Sequence, residues 1–130
     1  QSDLTVLCEA ALAGQLDRVQ AQWDPRAALG VVLAAGGYPD AVRTGDNIAG
    51  LDAVAQLPGK VFHAGTALRD NQTVTSGGRV LCAVGLGADV RTAQAQAYAL
   101  VDAIRFDGMQ CRRDIGYRAI AREAGERPRS

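Results

Sequence analysis

One long amphipathic segment near the C-terminal end of the chain constrains its fold most. Apolar side chains in residues 90–104 recur at steps of three and four, the spacing that places them on one buried helix face. Asp89 or Thr92 is available to cap the N-terminus of this helix. Because one apolar face must pack against a second layer, the rest of the chain has to supply that layer. The predicted buried face consists of Val90, Ala93, Ala97, Leu100, Val101 and Ile104.

Strand patterns elsewhere in the chain predict that this second layer is a sheet. Residues 27–35 form a continuous apolar run, which is typical of a buried strand and ends at Gly36-Gly37-Tyr38-Pro39. Several antiparallel strands under one long helix predict an α+β domain. The other predicted strands are 60–68, 73–75 after a turn at 69–72, 79–86 after a turn at 76–78, and 109–112. The other predicted helical segments are a first helix from Leu4, capped by Ser2 or Asp3 and ending at Gly14, a turn at 16–19, another at 53–57, and a short helix from Ile115.

Composition limits the function classes that are open to this chain. With 130 residues it is long enough for one core and too short for two. The formal net charge is zero, so nothing favours binding to nucleic acid or to a membrane surface. Cys8, Cys82 and Cys111 are odd in number and lack CxxC spacing, which predicts free thiols in a cytoplasmic protein and no metal site.

Two adjacent arginines, Arg112 and Arg113, are a candidate anion site. Like charges at this spacing repel, and a phosphate or carboxylate between them would relieve the repulsion. The alternatives are a solvated loop end and a bridge from these arginines to a neighbouring domain. In an extended strand the two side chains point to opposite faces, so we expect one of them to reach a ligand. Asp114 is placed where it could cap the last helix.

Six short motifs occur in an order that resembles the phosphoribosylamine–glycine ligase family, also called glycinamide ribonucleotide synthetases, which are ATP-grasp enzymes of purine synthesis. The resemblance runs from about residue 2 to residue 120. Members of that family are much longer, so this chain is expected to be a C-terminal portion. The motifs are Trp23-Asp24-Pro25-Arg26, residues 30–39, Thr44-Gly45-Asp46-Asn47-Ile48, Val61-Phe62-His63-Ala64-Gly65-Thr66, Gly77-Gly78-Arg79-Val80-Leu81 and residues 106–116.

The resemblance implies a domain plan and an activity. Residues 1–25 would be the end of the ATP-grasp domain and a linker, 26–120 the C-terminal domain with a small curved sheet or partial barrel, and 121–130 a disordered tail. The full enzyme would join glycine to phosphoribosylamine and convert ATP to ADP and phosphate, with Mg or Mn. This portion would bind no cofactor and would hold no catalytic or metal-binding residue. Its partner would be the rest of its own polypeptide.

The resemblance also implies a ribose-phosphate contact at Gly77-Gly78-Arg79, because related enzymes use a Gly-Arg turn followed by a strand and a long helix. Glycines let backbone N–H groups approach an anion, and the arginine supplies a planar fork of donors. The alternative is a plain hairpin turn with an exposed arginine. Gly36, Gly37 and Tyr38 are a further candidate at a domain junction, where a strand-ending turn is the alternative.

Two other functions stay open from the residues themselves. A biotinyl- or lipoyl-like carrier needs its modified lysine at an exposed hairpin tip, but Lys60 lies at a predicted strand start. The second open function is that of a stand-alone descendant of the enzyme that only binds small phosphates. His63 is predicted to be a buried, hydrogen-bonded strand residue because no nucleophile motif accompanies it, and Phe106 and Met109 are predicted core residues.

Overall fold

Three antiparallel strands form the central sheet in the computed structural model, which describes residues 1–125. They are β1 (Ala27–Ala34), β2 (Lys60–His63) and β5 (Arg79–Gly87), in the spatial order β1–β5–β2. A separate two-stranded sheet joins β3 (Thr66–Arg69) to β4 (Gln72–Thr75). The predicted α+β class is therefore confirmed, and the sheets of the described chain do not close into a barrel.

Helix α3 (Val90–Ala103) covers one face of the central sheet. The predicted face is confirmed at Ala93, Ala97, Leu100 and Val101, which are all fully buried. Asp89 caps the helix, since the Thr92 N–H donates to its Oδ1 at 2.7 Å. Hydrogen bonding from the side chain and the backbone of Thr92 lowers the pKa of Asp89. The sheet approaches the helix closely through glycine: a Cβ added at Gly85 would lie 2.2 Å from the carbonyl oxygen of Ala93.

The remaining helices are short and lie at the edges. They are α1 (Leu4–Leu12), a 3-10 turn at Leu16–Arg18, α2 (Leu51–Val54) and α4 (Tyr117–Glu123). Asp3 caps α1 as predicted, because the Thr5 N–H donates to its Oδ1 at 2.8 Å. No residue of α1 is buried. None of the helices among residues 1–125 has both the length and the apolar character needed to cross a bilayer.

The prediction of one continuous strand over residues 60–68 was wrong. It divides into β2 and β3 at a turn, where the Gly65 N–H donates to the Arg79 carbonyl at 2.8 Å. A Cβ at Gly65 would lie 2.8 Å from Gly77 Cα, so two turn backbones meet there. The hairpin that follows is confirmed: Asp70 and Asn71 both have positive φ, as a two-residue primed turn requires.

Three smaller predictions near the chain's functional candidates were also wrong. Residues 109–112 form no strand, because their pairing is limited to a single bridge between Gln110 and Ala34. Asp114 does not cap α4, which begins after Gly116 without a side-chain cap. His63 is exposed at the end of β2, where its Nδ1 lies 3.0 Å from Thr66 Oγ1. Helix α4 extends to Glu123, inside the predicted tail, and residues 126–130 lie outside the described part.

Candidate functional site

Two candidate segments that are 40 residues apart in the chain meet in one groove. The Tyr38 ring lies directly on Gly78, since a Cβ added at Gly78 would be 2.5 Å from Tyr38 Cδ2. Arg79 follows Gly78 at the same groove, whose volume is about 640 Å³. The glycine is therefore required here by the ring above it. The groove is lined by Val32, Tyr38, Val42, Ala64, Gly65, Gly78, Arg79, Leu81 and Cys82.

The backbone at Arg79 is held firmly while its side chain has no protein partner. The Gly78 carbonyl accepts from the Ala35 N–H at 2.8 Å, and the Arg79 carbonyl accepts from the Gly65 N–H at 2.8 Å. The guanidinium makes no hydrogen bond or ion pair with any residue from 1 to 125. Its donors are thus available to an anion entering the groove.

Arg112 and Arg113 are already neutralised by carboxylates of the same chain. Arg112 binds Asp114 through two hydrogen bonds of 2.9 and 2.6 Å, which lowers the pKa of Asp114. Arg113 binds Asp102 at 2.6 Å and lies 5.6 Å from the centre of the Tyr98 ring. The two guanidinium groups bind different partners, as expected for adjacent residues of an extended chain, whose side chains point in opposite directions. Their repulsion therefore needs no bound ligand to relieve it.

Gly36 and Gly37 lie in a turn whose geometry accounts for both glycines. Gly37 has φ +77°, and a Cβ there would lie 2.0 Å from the Ala41 carbonyl oxygen. Gly36 lies against Gly108, with a distance of 3.4 Å from an added Cβ to Gly108 Cα. Their carbonyls accept backbone N–H groups from residues 43 and 41 within the same loop. The strand-ending turn that the sequence left open as an alternative is therefore present.

Arg43 is a residue near this turn that sequence reasoning missed. Its guanidinium binds both Asp46, at 2.9 Å, and Asp107. Asp46 belongs to a recognisable motif, but Asp107 is 64 residues from Arg43 and no local pattern connects the two. Arg43 thus joins the loop after β1 to the segment after α3.

The lining of the groove contains no carboxylate and no imidazole that could bind a metal ion. Within residues 1–125, no three His, Cys, Asp or Glu side chains lie close enough together to hold a metal ion. Asp46 and Asp107, two carboxylates close to the glycine turn, are both bound to Arg43. What the groove offers is an arginine, an aromatic ring and an apolar floor, which together suit a small organic anion.

All three cysteines are unpaired, as predicted. Cys8 is exposed, whereas Cys82 and Cys111 are half-buried. Cys82 lies in the wall of the groove, and its burial raises the pKa of its thiol. It is therefore a protonated thiol at neutral pH and a weak nucleophile.

Comparison with known proteins places this geometry in a family. Residues 28–118 match the family described as phosphoribosylglycinamide synthetase, C domain. Among curated relatives, the phosphoribosylamine–glycine ligase of Pseudomonas aeruginosa is 62% identical over 126 residues, and that of Vibrio cholerae is 60% identical over 123 residues. These alignments cover 97% and 95% of this chain, but the chain spans only 29% of the length of either relative.

A solved structure gives the same assignment. The crystal structure of phosphoribosylamine–glycine ligase from Thermotoga maritima aligns with 67% of this chain at a TM-score of 0.58 and 44% identity, and the alignment covers 21% of that protein. Identity at this level over a matching fold reflects common descent. The chain belongs to the phosphoribosylglycinamide synthetase C-domain family.

Proposed function

We propose that this chain is the C-terminal domain of a longer phosphoribosylamine–glycine ligase. That enzyme would join glycine to phosphoribosylamine in purine biosynthesis, with ATP converted to ADP and phosphate. ATP and magnesium would be held by the other domains of the polypeptide. A cytoplasmic location follows from the same assignment. High identity to the ligases of Pseudomonas and Vibrio supports this proposal.

Within that enzyme, we assign to Arg79 the contact with the phosphate of phosphoribosylamine. The observation that carries this assignment is the free guanidinium of Arg79 beside Tyr38 in a groove of about 640 Å³. Arg112 and Arg113 lack that freedom, since each is bound to its own aspartate. A phosphate therefore meets an available fork of donors at Arg79, whereas at Arg112 it must displace a bidentate carboxylate.

Arg79→Ala in the complete enzyme tests this role. We expect kcat/KM for phosphoribosylamine to fall about 10- to 100-fold, because a charge-assisted hydrogen bond is lost, with much smaller changes for glycine and ATP. Arg79→Lys should recover only part of the loss, since an ammonium keeps the charge without the planar fork. Steady-state kinetics with each substrate varied in turn give the three values.

Arg112→Ala is the matched control, because it removes an exposed arginine outside the groove. Equal losses for all three substrates in Arg79→Ala would point to misplacement of the domain and not to phosphate binding. The assignment would be reversed if Arg79→Ala kept the wild-type kcat/KM for phosphoribosylamine while Arg112→Ala or Arg113→Ala lost most of it.

The carrier alternative has less support. Its attachment lysine would have to be Lys60, the single lysine of the chain, which is the first residue of β2. The exposed hairpin tip between β3 and β4 carries Asp70 and Asn71 instead. If the mass of the purified protein shows no modification, the carrier function is contradicted. The second alternative, a stand-alone phosphate-binding module, would bind phosphate at Arg79 without any ligase activity.

A further inference from the structure

The loop that carries Tyr38 into the groove has few hydrogen bonds to the rest of the domain. It consists of residues 36–43, and we call it the Tyr38 loop. In the described chain, every backbone hydrogen bond of this loop closes inside residues 35–43, as where the Arg43 N–H donates to the Gly36 carbonyl at 2.9 Å. Backbone pairing therefore shapes the loop but does not fix it against the sheet.

The side chain of Arg43 supplies the connection that the loop backbone lacks. Its guanidinium binds Asp46 at 2.9 Å and also binds Asp107. Among residues 1–125, no other side chain of the Tyr38 loop makes a hydrogen bond. The two aspartates belong to different parts of the fold, so that Arg43 fastens the loop at two points.

Both aspartates are fixed independently of the loop. The Thr75 N–H donates to the Asp46 carbonyl at 2.9 Å, and the Asp46 N–H donates to Thr75 Oγ1 at 3.1 Å. Thr75 is the last residue of β4 and is only 1% exposed. Asp107 follows Phe106, which belongs to the core. Arg43 thus links a surface loop to two well-packed parts of the domain.

The Tyr38 loop forms one side of the groove. A Cβ added at Gly78 would lie 2.5 Å from Tyr38 Cδ2 and 3.3 Å from Val42 Cγ2. Val42 directly precedes Arg43, and both Tyr38 and Val42 line the groove together with Arg79. Arg43 itself is not one of the lining residues. It is placed to act on a ligand in the groove through the two side chains that it holds there.

We propose that Arg43 is a positioning residue, whose two ion pairs hold the Tyr38 loop closed over the groove and thereby set the affinity for the phosphate-bearing substrate. This inference rests on the proposed function, in which Arg79 binds that phosphate. Exposed ion pairs add little to global stability, and the Arg43 side chain is 49% exposed. A loop with few other contacts nevertheless opens locally, without unfolding of the domain. The ion pairs therefore control the closed fraction of the loop more than the stability of the fold.

The closed fraction of the loop determines the apparent affinity of the groove. A ligand that binds only the closed form has an apparent dissociation constant equal to the intrinsic constant divided by the closed fraction. Loss of the ion pairs lowers that fraction, so that more substrate is needed for saturation. At saturation the bound substrate itself keeps the loop closed. A positioning role therefore predicts a change in KM without a change in kcat.

Arg43→Gln in the complete polypeptide tests this role. We expect KM for phosphoribosylamine to rise about 3- to 10-fold, while kcat and the KM values for glycine and ATP change by less than about twofold. Arg43→Lys should recover part of the loss, because an ammonium keeps the charge but lacks the planar fork that binds both carboxylates. Arg26→Gln is the matched control, since Arg26 is 54% exposed, binds Asp24 at 2.7 Å and lies outside the groove.

Asp107→Asn separates positioning from a direct effect of charge on the phosphate. Loss of the positive charge of Arg43 would weaken phosphate binding at a distance, whereas loss of the negative charge of Asp107 would strengthen it. Positioning predicts the same direction for both variants: each breaks an ion pair of the loop and raises KM for phosphoribosylamine. The double variant should have about the same KM as Arg43→Gln alone, because the shared ion pair is already lost.

Amide hydrogen exchange measures the closure of the loop without reference to catalysis. Exchange is followed by mass spectrometry of peptides that cover residues 36–45, in the complete polypeptide without substrate. The Gly45 N–H, which donates to the Thr75 carbonyl at 2.7 Å, lies where the loop joins its anchor. We expect exchange in these peptides to be at least about 3-fold faster in Arg43→Gln and unchanged in Arg26→Gln.

Unchanged amide exchange in Arg43→Gln overturns the proposal, and so does a lower KM for phosphoribosylamine in Asp107→Asn. Faster exchange with an unchanged KM overturns the link between loop closure and substrate affinity. A fall in kcat at constant KM also overturns it, because Arg43 would then act on the reacting groups. Absence of ligase activity in the wild-type polypeptide refutes the proposed function, whereas faster exchange in Arg43→Gln would still show that the ion pairs hold the loop.

Discussion

At the scale of single residues, the arginines of this domain differ in what already binds their guanidinium groups. Arg43, Arg112 and Arg113 each bind one or two aspartates, and these contacts raise their pKa values further. Arg79 has no such partner in the described chain. A free arginine beside an open groove is a better candidate for an anion than a paired arginine, because no existing contact has to be broken.

The contact between Tyr38 and Gly78 gives a prediction at this scale. Gly78→Ala should destabilise the domain by about 1–3 kcal/mol, because the new methyl group would overlap the Tyr38 ring, 2.5 Å away. In a Tyr38→Ala background the same substitution should cost much less, since the obstructing ring is gone. Urea unfolding of the two single variants and the double variant measures the coupling. Additive effects would show that the ring does not restrict residue 78.

At the scale of elements, the packing of α3 on β5 depends on the smallest side chains. Ala93 and Ala97 lie over Gly85 and Gly87, so that helix backbone and strand backbone approach each other directly. The space there is too small for a methyl group, because backbone atoms of Ala93 lie within 2.6 Å of the Cβ that would be added at either glycine. This close contact explains why a helix so rich in alanine is nevertheless the main cover of the sheet.

Gly85→Ala should therefore be severely destabilising, by about 3 kcal/mol or more, because helix and strand would have to separate. Gly30→Ala is the matched control on the opposite face of the same sheet, where the nearest obstacle is the Sγ of Cys82 at 3.1 Å. We expect the control to change stability by less than about 1 kcal/mol. Chemical denaturation of both variants makes the comparison, and equal losses would contradict the packing argument.

At the scale of the whole molecule, the described chain contains one core and one segment outside it. The core lies between α3 and the central sheet, with Leu33, Leu81, Leu100 and Ile104 fully buried. The segment of residues 1–24 is held by its own contacts, such as the Ser2 N–H donating to the Gln22 carbonyl at 3.0 Å. None of its side chains packs against the core.

Removal of residues 1–23 should accordingly leave the domain folded. We expect the midpoint of thermal unfolding to change by less than about 3 °C, because no core residue is lost. Leu100→Ala is the contrasting variant, with an expected loss of about 2–5 kcal/mol from a fully buried site. Far-UV circular dichroism follows both transitions. Loss of cooperative unfolding on truncation would show that the segment is part of the core after all.

The sequence by itself determined the features whose signals are local. The long helix with its Asp89 cap, the apolar strand from Ala27 and the turn at Asp70-Asn71 each depend on neighbouring residues, and all three are present. Only the tertiary structure decided which distant groups meet. Tyr38 lies on Gly78, Arg43 binds Asp107, and Gly65 meets Gly77 so that one predicted strand becomes two. These contacts join parts of the chain that no periodicity connects, because they depend on how the elements pack and not on the propensity of any one of them.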